Sequence, residues 1–371
     1  MMHKKQTLRK YVSYFLLLIG LYLIISLSSK PITPNPLYAW LLIPILILIL
    51  QITIIIHELG HLVMGYLTGY RFLSFRYLSW IIIKDKEGKF HINRYYIPGT
   101  LGQCLMVPPK KEKTPIFWYN FGGVFFNLIT MIVGFVLLSR TNQDMVKFVS
   151  QQVLVVNYLI VYGNWFSMNG LPNDGNNYRE SKRYYASRVA YYDILNVNAH
   201  NIYGEKISLT PLRSKPEHLS YDIFHQKFLL IHMNMIKLYQ QDVDGYIQGM
   251  NKMTQVLCKQ DNVFSIEQLY VYLARLLEGK LDDPIFQNIK IMKLLKRMKY
   301  EPIVLLIRYI EAVLRDSSDA TKMKAEFFEL TNKSHQRGEC LDMIDLLSFL
   351  EQRFIINSRI KQPLVEVVSA V

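Results

Sequence analysis

The stretch QITIIIHELGHLVMGYLTGY, from Gln51 to Tyr70, decides how this chain is read. It sets two histidines and a glutamate at the end of a long apolar run, where a charge is expensive to solvate and an aliphatic side chain would cost less. His57-Glu58-Leu59-Gly60-His61 fits the pattern H-E-x-x-H. Two histidines at i and i+4 of a helix point the same way, so their ring nitrogens can share one zinc ion, and Glu58 can reach a water held there. Zinc lowers that water's pKa, and the glutamate can take its proton as a carbonyl is attacked. With two of five positions open, the pattern alone is only moderately specific. The plainer alternative is a helix that has already left the bilayer, with His57 and His61 as interfacial residues.

Working outward, the composition supports a membrane setting. Of 371 residues, 51% are hydrophobic, and the longest apolar runs fall in the first half. Four are long enough to cross or nearly cross a bilayer: Val12–Ser28, Tyr38–Leu67, Phe117–Leu138 and Val146–Met168. The first follows the basic MMHKKQTLRK and reads as a retained anchor rather than a cleaved signal peptide. Cys104, Cys258 and Cys340 are widely spaced, which suggests neither a disulfide framework nor a cysteine zinc knuckle.

Charge gives an orientation. The net charge is +14, and residues 1–175 hold 16 Lys and Arg against 6 acids. These cations flank apolar spans instead of forming a stripe with interleaved aromatics, so nucleic acid is excluded as a partner and membrane topology explains them. They gather at the N-terminus (Lys4, Lys5, Arg9, Lys10) and between Thr68 and Lys113 (among them Arg71, Arg76, Lys84 and Arg94). The expectation is a multi-pass cell-membrane protein whose N-terminus, middle loop and C-terminal part are cytoplasmic. Within the middle loop, FLSFRYLSWIIIKDKEGKFHINRYYI has β-branched and aromatic runs around the turn Asp85-Lys86-Glu87-Gly88, which predicts a β-hairpin associated with the membrane or standing clear of it.

Beyond about Asn176 the composition turns soluble. Helical periodicity recurs in HQKFLLIHMNMIKLYQQ, SIEQLYVYLARLLEG, IFQNIKIMKLLKRMKY, PIVLLIRYIEAVLRD and CLDMIDLLSFLEQRF, giving an all-α cytoplasmic domain. His218, His225 and His232, seven apart, would be about 10.5 Å from one another along a helix, too far to share a metal, and read as one helix face. The basic KIMKLLKRMKY is either a solvated helix face or a segment touching anionic lipid.

An H-E-x-x-H site needs a further ligand from distant sequence. Asp174, in NWFSMNGLPNDGNNY just after the fourth apolar run, is an acid that the deduced orientation brings to the same face as His57 and His61. Pro-Asn-Asp-Gly is equally good material for a plain turn. Here the residues resemble the site-2 proteases, intramembrane zinc metalloproteases with H-E-x-x-H on one core helix and an Asn/Pro-containing segment ending in Asp-Gly on a later one. HELGH and NGLPNDG match in order and in deduced topology, and NFGGVFFNLI resembles the glycine-rich helix between them; the similarity covers residues 38–178. Two features depart from the family pattern: only Asn173 separates Pro172 from Asp174, and the loop from Arg140 to Met145 is too short for a PDZ domain.

The resemblance implies that His57, His61 and Asp174 ligate Zn2+ and that Glu58 is the general base. It implies that Asn127 and Asn169 position the substrate backbone; the alternative for each is a hydrogen bond between spans, and Asn120 competes with Asn127. It also implies a membrane-associated strand that holds an unwound substrate by β-augmentation. The fold expected is thus an α-helical multi-pass membrane protein of about four transmembrane helices, with a small β-hairpin and an all-α C-terminal domain. Its parts are an anchor and loop (1–37), a metalloprotease core (38–178) and a cytoplasmic helical domain (179–371). The function expected is zinc endopeptidase action, near the cytoplasmic face, on membrane-embedded or membrane-anchored peptides such as signal-peptide remnants, tethered regulators or pheromone precursors. The C-terminal domain would gate access or bind a cytoplasmic regulator. The competing function is an inactive receptor or scaffold with a structural metal; a metal transporter is weaker, for want of a polar path through the spans.

Overall fold

The computed structural model describes residues 15, 17–22, 24, 26, 36–95, 100–109, 115–166, 173–257, 267–315, 317–334 and 336–352. Its backbone contacts divide the chain into two compact units, Met1–Ala199 and His200–Val371. Among the described residues three helices are long and apolar enough to cross a membrane: Trp40–Leu67, Ile116–Arg140 and Asp144–Phe166. The first apolar run, Val12–Ser28, is described only in part, and its described residues, 15, 17–22, 24 and 26, are helical.

Helix α1, Pro36–Leu67, carries the decisive stretch near its C-terminal end. From Trp40 to Leu67 it rises about 42 Å at 1.5 Å per residue, which is longer than a hydrocarbon core of roughly 30 Å. The helix stops because Gly69 takes φ +88°, so that the Gly69 N–H donates to the Tyr66 carbonyl and the Tyr70 N–H to the Gly65 carbonyl. That paired closure satisfies carbonyls the helix would otherwise leave bare, and it turns the chain sharply into the sheet.

The middle loop forms more than the expected hairpin. Strands β1 (Arg71–Tyr77), β2 (Trp80–Lys84), β3 (Phe90–Arg94) and β4 (Gly102–Val107) make one antiparallel sheet in the order β3-β2-β1-β4. The Asp85–Gly88 turn does join β2 to β3, with Lys84 opposite Phe90. The preceding apolar run, however, splits at Leu78-Ser79 into two strands, and β1 pairs on its far side with β4, from Arg71 opposite Val107 to Tyr77 opposite Gly102. Arg76, a member of the basic loop in sequence, is fully buried in this sheet, so it is an internal residue and not one of the solvated flanking cations.

Helices α2 (Ile116–Arg140) and α3 (Asp144–Val161) complete the apolar bundle, and α3 runs on as a π-helical turn, Tyr162–Phe166. Glycine permits the closest approach. A Cβ on Gly60 would sit 2.3 Å from the Gly122 carbonyl oxygen, and one on Gly122 would sit 2.4 Å from that of Gly60. In a bilayer, where burial would give helices no preference for each other over lipid, this backbone contact would supply dispersion contact directly. Short helix α4 (Asp174–Arg183) and then α5 (Tyr185–Ile202) follow.

The second unit is helical throughout its described elements: α6 (Phe224–Tyr239), α7 (Val243–Leu257), α8 (Glu267–Leu277), α9 (Ile289–Arg297), α10 (Pro302–Leu314), α11 (Ala320–Lys333) and α12 (Arg337–Leu350), with short 3-10 turns. His225 and His232 lie on α6, but His218 ends a separate 3-10 turn, Pro216–His218. The three histidines therefore do not share one helix face: Pro216 starts its own turn, and the chain breaks before α6.

Candidate metal centre

One turn of α1 separates His57 from His61, and both imidazoles are buried. Nε2 of His57 lies 3.2 Å from Nε2 of His61. Asp174 joins them from the first position of α4, its Oδ2 lying 3.0 Å from His57 Nε2 and 3.3 Å from His61 Nε2. Burial alone would push the Asp174 carboxyl up, but the neighbouring imidazoles of His61 and His57 outweigh this and hold it well below the usual carboxylate range. Among the described residues these three are the only cluster of histidine, cysteine or acid side chains whose donor atoms all lie within 4.8 Å of one another.

The placement of Asp174 follows from its neighbours. The PNDG segment starts a helix, with Asn173 as its cap: the Asn173 side chain accepts from the Asn176 N–H at 2.9 Å and donates to the Gly163 carbonyl at 3.1 Å. Gly175 is required because a Cβ there would be 2.3 Å from the Trp165 carbonyl oxygen. Arg179, one turn on, donates to that same carbonyl at 2.5 Å. The cap, the glycine and the arginine together tie Asp174 to the end of the third apolar helix.

The donor set fits a small divalent cation. Four tetrahedral donors held about 2.0–2.2 Å from a zinc ion are separated from one another by about 3.3–3.6 Å, and the three observed separations of 3.0–3.3 Å are near that edge length. The tautomer fits as well. His61 Nδ1 lies 2.7 Å from the Tyr119 carbonyl, which can only accept, so Nδ1 carries the proton and Nε2 presents a lone pair toward the triangle. Gly123 of α2 leaves the space in front of the rings open, since a Cβ there would lie 2.6 Å from His57 Nε2 and 2.7 Å from His61 Nε2. Cys104 is not among the residues whose donor atoms gather there.

Glu58 is buried beside the triad and makes no hydrogen bond among the described residues. Its neighbour is the start of β4: a Cβ on Gly102 would lie 2.6 Å from Glu58 Oε1. Arg76 fixes that strand end, donating to the carbonyls of Leu78 at 2.7 Å and Gly102 at 3.2 Å and to the Thr100 hydroxyl. In the sequence Arg76 reads as one of the basic residues of the middle loop. Strand alternation gave no sign of its burial, since Phe75 beside it packs against the core and adjacent strand residues point to opposite faces.

Asn127 is fully buried, and neither atom of its amide has a hydrogen-bond partner. It lies one turn beyond Gly123 on the same face of α2. Its competitor Asn120 is fully used, donating to the Ile116 carbonyl at 3.0 Å and accepting from the Tyr191 hydroxyl at 3.2 Å. Asn169 and Pro172 lie outside the described residues. Compared with family models, with curated proteins and with solved structures, the chain matches none of them.

Proposed function

We propose that the chain is an intramembrane zinc metalloendopeptidase of the site-2 protease kind. The observation that carries this is the meeting of His57, His61 and Asp174 beside a buried carboxylate, Glu58, that makes no hydrogen bond among the described residues. His57 Nε2, His61 Nε2 and Asp174 Oδ2 would hold the zinc. When bound, zinc supplies Lewis acidity to a peptide carbonyl and lowers the pKa of water.

The chain's own residues supply the rest. Glu58 accepts a proton from water as the water oxygen adds to the carbonyl carbon, and delivers it to the amide nitrogen as the C–N bond breaks. Asn127, whose amide has an unused donor and acceptor, binds the backbone of the unwound substrate. The outer edge of β4, which among the described residues pairs only with β1, holds that segment extended by strand addition. This gives the strand role to β4, whose Gly102 adjoins Glu58, rather than to the β2–β3 hairpin. Substrates are transmembrane or membrane-anchored segments cut near the cytoplasmic face. By the distribution of positive charge the N-terminus and the C-terminal domain would lie on that side, where the latter would take a regulator.

The test is Glu58→Gln expressed with a candidate membrane-anchored substrate. Loss of about 10²–10⁴-fold in cleavage is expected for removal of a general base, with zinc content and melting temperature unchanged. Undiminished processing under those conditions would end the protease assignment.

A further inference from the structure

One turn from the triad there is a second polar layer, and each of the three apolar helices contributes to it. Thr53 of α1, Asn127 of α2 and Asn157 of α3 are all buried. Thr53 precedes His57 by four residues and Asn127 follows Gly123 by four, so each lies about 6 Å along its helix from the metal donors, on the same face. Asn157 reaches Thr53 directly, donating through Nδ2 to the Thr53 hydroxyl at 3.2 Å and to the Val153 carbonyl at 2.9 Å. The packing of Gly134 on Val153 and Ser150 sets the register of α2 against α3, and two turns from that contact bring Asn127 and Asn157 to within about one turn of the same level.

The hydrogen bonds in this layer are incomplete. A carbonyl can only accept, so the contact with Val153 fixes the orientation of the Asn157 amide and leaves Oδ1 as the atom with no partner. Both amide atoms of Asn127 are likewise without partners. Unsatisfied amides are costly among apolar helices, and Leu would fill similar volumes at no such cost. The unused set is one donor and two acceptors, carried on two different spans. An extended peptide presents the complementary groups, since its N–H and C=O alternate along the strand.

We propose that Asn157, held in place by Thr53, is a substrate-positioning residue, and that with Asn127 it forms a binding layer for the unpaired backbone of an unwound transmembrane segment. The layer holds the stretch of substrate one turn deeper in the membrane than the bond to be cut. This rests on the protease assignment for its biological substrate, but peptide binding can be measured without cleavage. In the resting protein the layer is a stored deficit, which the substrate backbone relieves.

The test uses the full chain in detergent micelles and a transmembrane probe peptide of roughly 20 Leu and Ala residues interrupted centrally by Asn-Gly. Wild type and Glu58→Gln should both show a higher melting temperature with the probe, as ligand binding to the native state requires. The Thr53→Val/Asn157→Leu double variant should melt no lower than wild type without the probe and should lose the probe-induced shift, with apparent affinity down about tenfold. Asn127→Leu, which leaves the Thr53–Asn157 pair intact, should behave the same way. If the double variant melts lower than wild type, Asn157 is a helix–helix tie and the proposal fails. It also fails if the probe shifts wild type and double variant equally, or shifts neither. Probe binding without cleavage would remove the protease assignment and leave the binding layer standing, whereas cleavage indifferent to Asn157 would do the reverse.

Discussion

The candidate site in the first unit and the helical second unit bury carboxylates in opposite ways. In the second unit each of the strongly buried acids is matched: Glu267 with Lys227 at 2.8 Å, Glu351 with Tyr309 at 2.6 Å and Lys324 at 2.7 Å, and Asp342 with the N–H of Ser208 at 3.0 Å. In the first unit Glu58 is buried with no hydrogen bond among the described residues, and the carboxylate of Asp174 faces two imidazoles that also face each other. Partnered acids hold a fold together. An acid kept dry without a partner is a cost that folding alone does not explain, and a cation or a substrate can offset it.

That contrast can be broken by exchanging the properties measured. Lys227→Met should be the most damaging substitution to stability, roughly 3–5 kcal/mol, because it strands Glu267 in the second unit; chemical denaturation would show it, and zinc affinity should not change. Asp174→Ala should do the opposite. Zinc affinity measured against a competing chelator should fall by more than the 10–100-fold that loss of an outer-shell partner costs, while the melting temperature of the metal-free protein stays within a few degrees. Equal zinc affinity in the two proteins would remove Asp174 from the site.

Gly123→Ala sharpens the comparison within the first unit. Its Cβ would sit 2.6 Å from His57 Nε2, so the helices must part or the ring must turn, at about 1–3 kcal/mol, and zinc affinity should drop about tenfold. Retained zinc affinity would show that the glycine serves helix approach alone. The smallest effect is expected at Glu339, where burial pushes the carboxyl up to about 7 from an ordinary 4.5, with Glu301 and Asp342 adding to the rise. Between those values the folded chain binds more protons than the unfolded one, so stability falls as pH rises from 4.5 to 7. Glu339→Gln should flatten that slope and stabilise the protein at pH 8 by roughly 1–2 kcal/mol, measurable by denaturation at several pH values.

What the sequence made legible was local or strongly patterned. The i, i+4 histidines, the long apolar helices and the Asp85–Gly88 turn all follow from short-range chemistry, and Asp174 could be nominated because acids are so scarce before Gly175. The pairing of β1 with β4 was not visible, since it joins Arg71 to Val107 across the whole loop and no turn signal marks it. Helix α7 was missed because Gly245 and Gly249 lower its helical propensity, and in the structure the Asn234 amide packs into the space beside Gly249, where a Cβ would meet it at 2.1 Å. Thr53 and Asn157 were hidden for a different reason. Single polar residues in apolar helices look alike in sequence, and only the packing shows which ones lie at the level of the histidines.

The hydrogen bond from His61 Nδ1 ends on a backbone oxygen, that of Tyr119. No replacement of the side chain at 119 can delete that acceptor, so a scan that mutates one residue at a time would never report it. The proton that keeps His61 in its metal-ready form is governed by where α2 runs rather than by what it is made of. A drift of that helix by an ångström would disarm the site while every named ligand was still present.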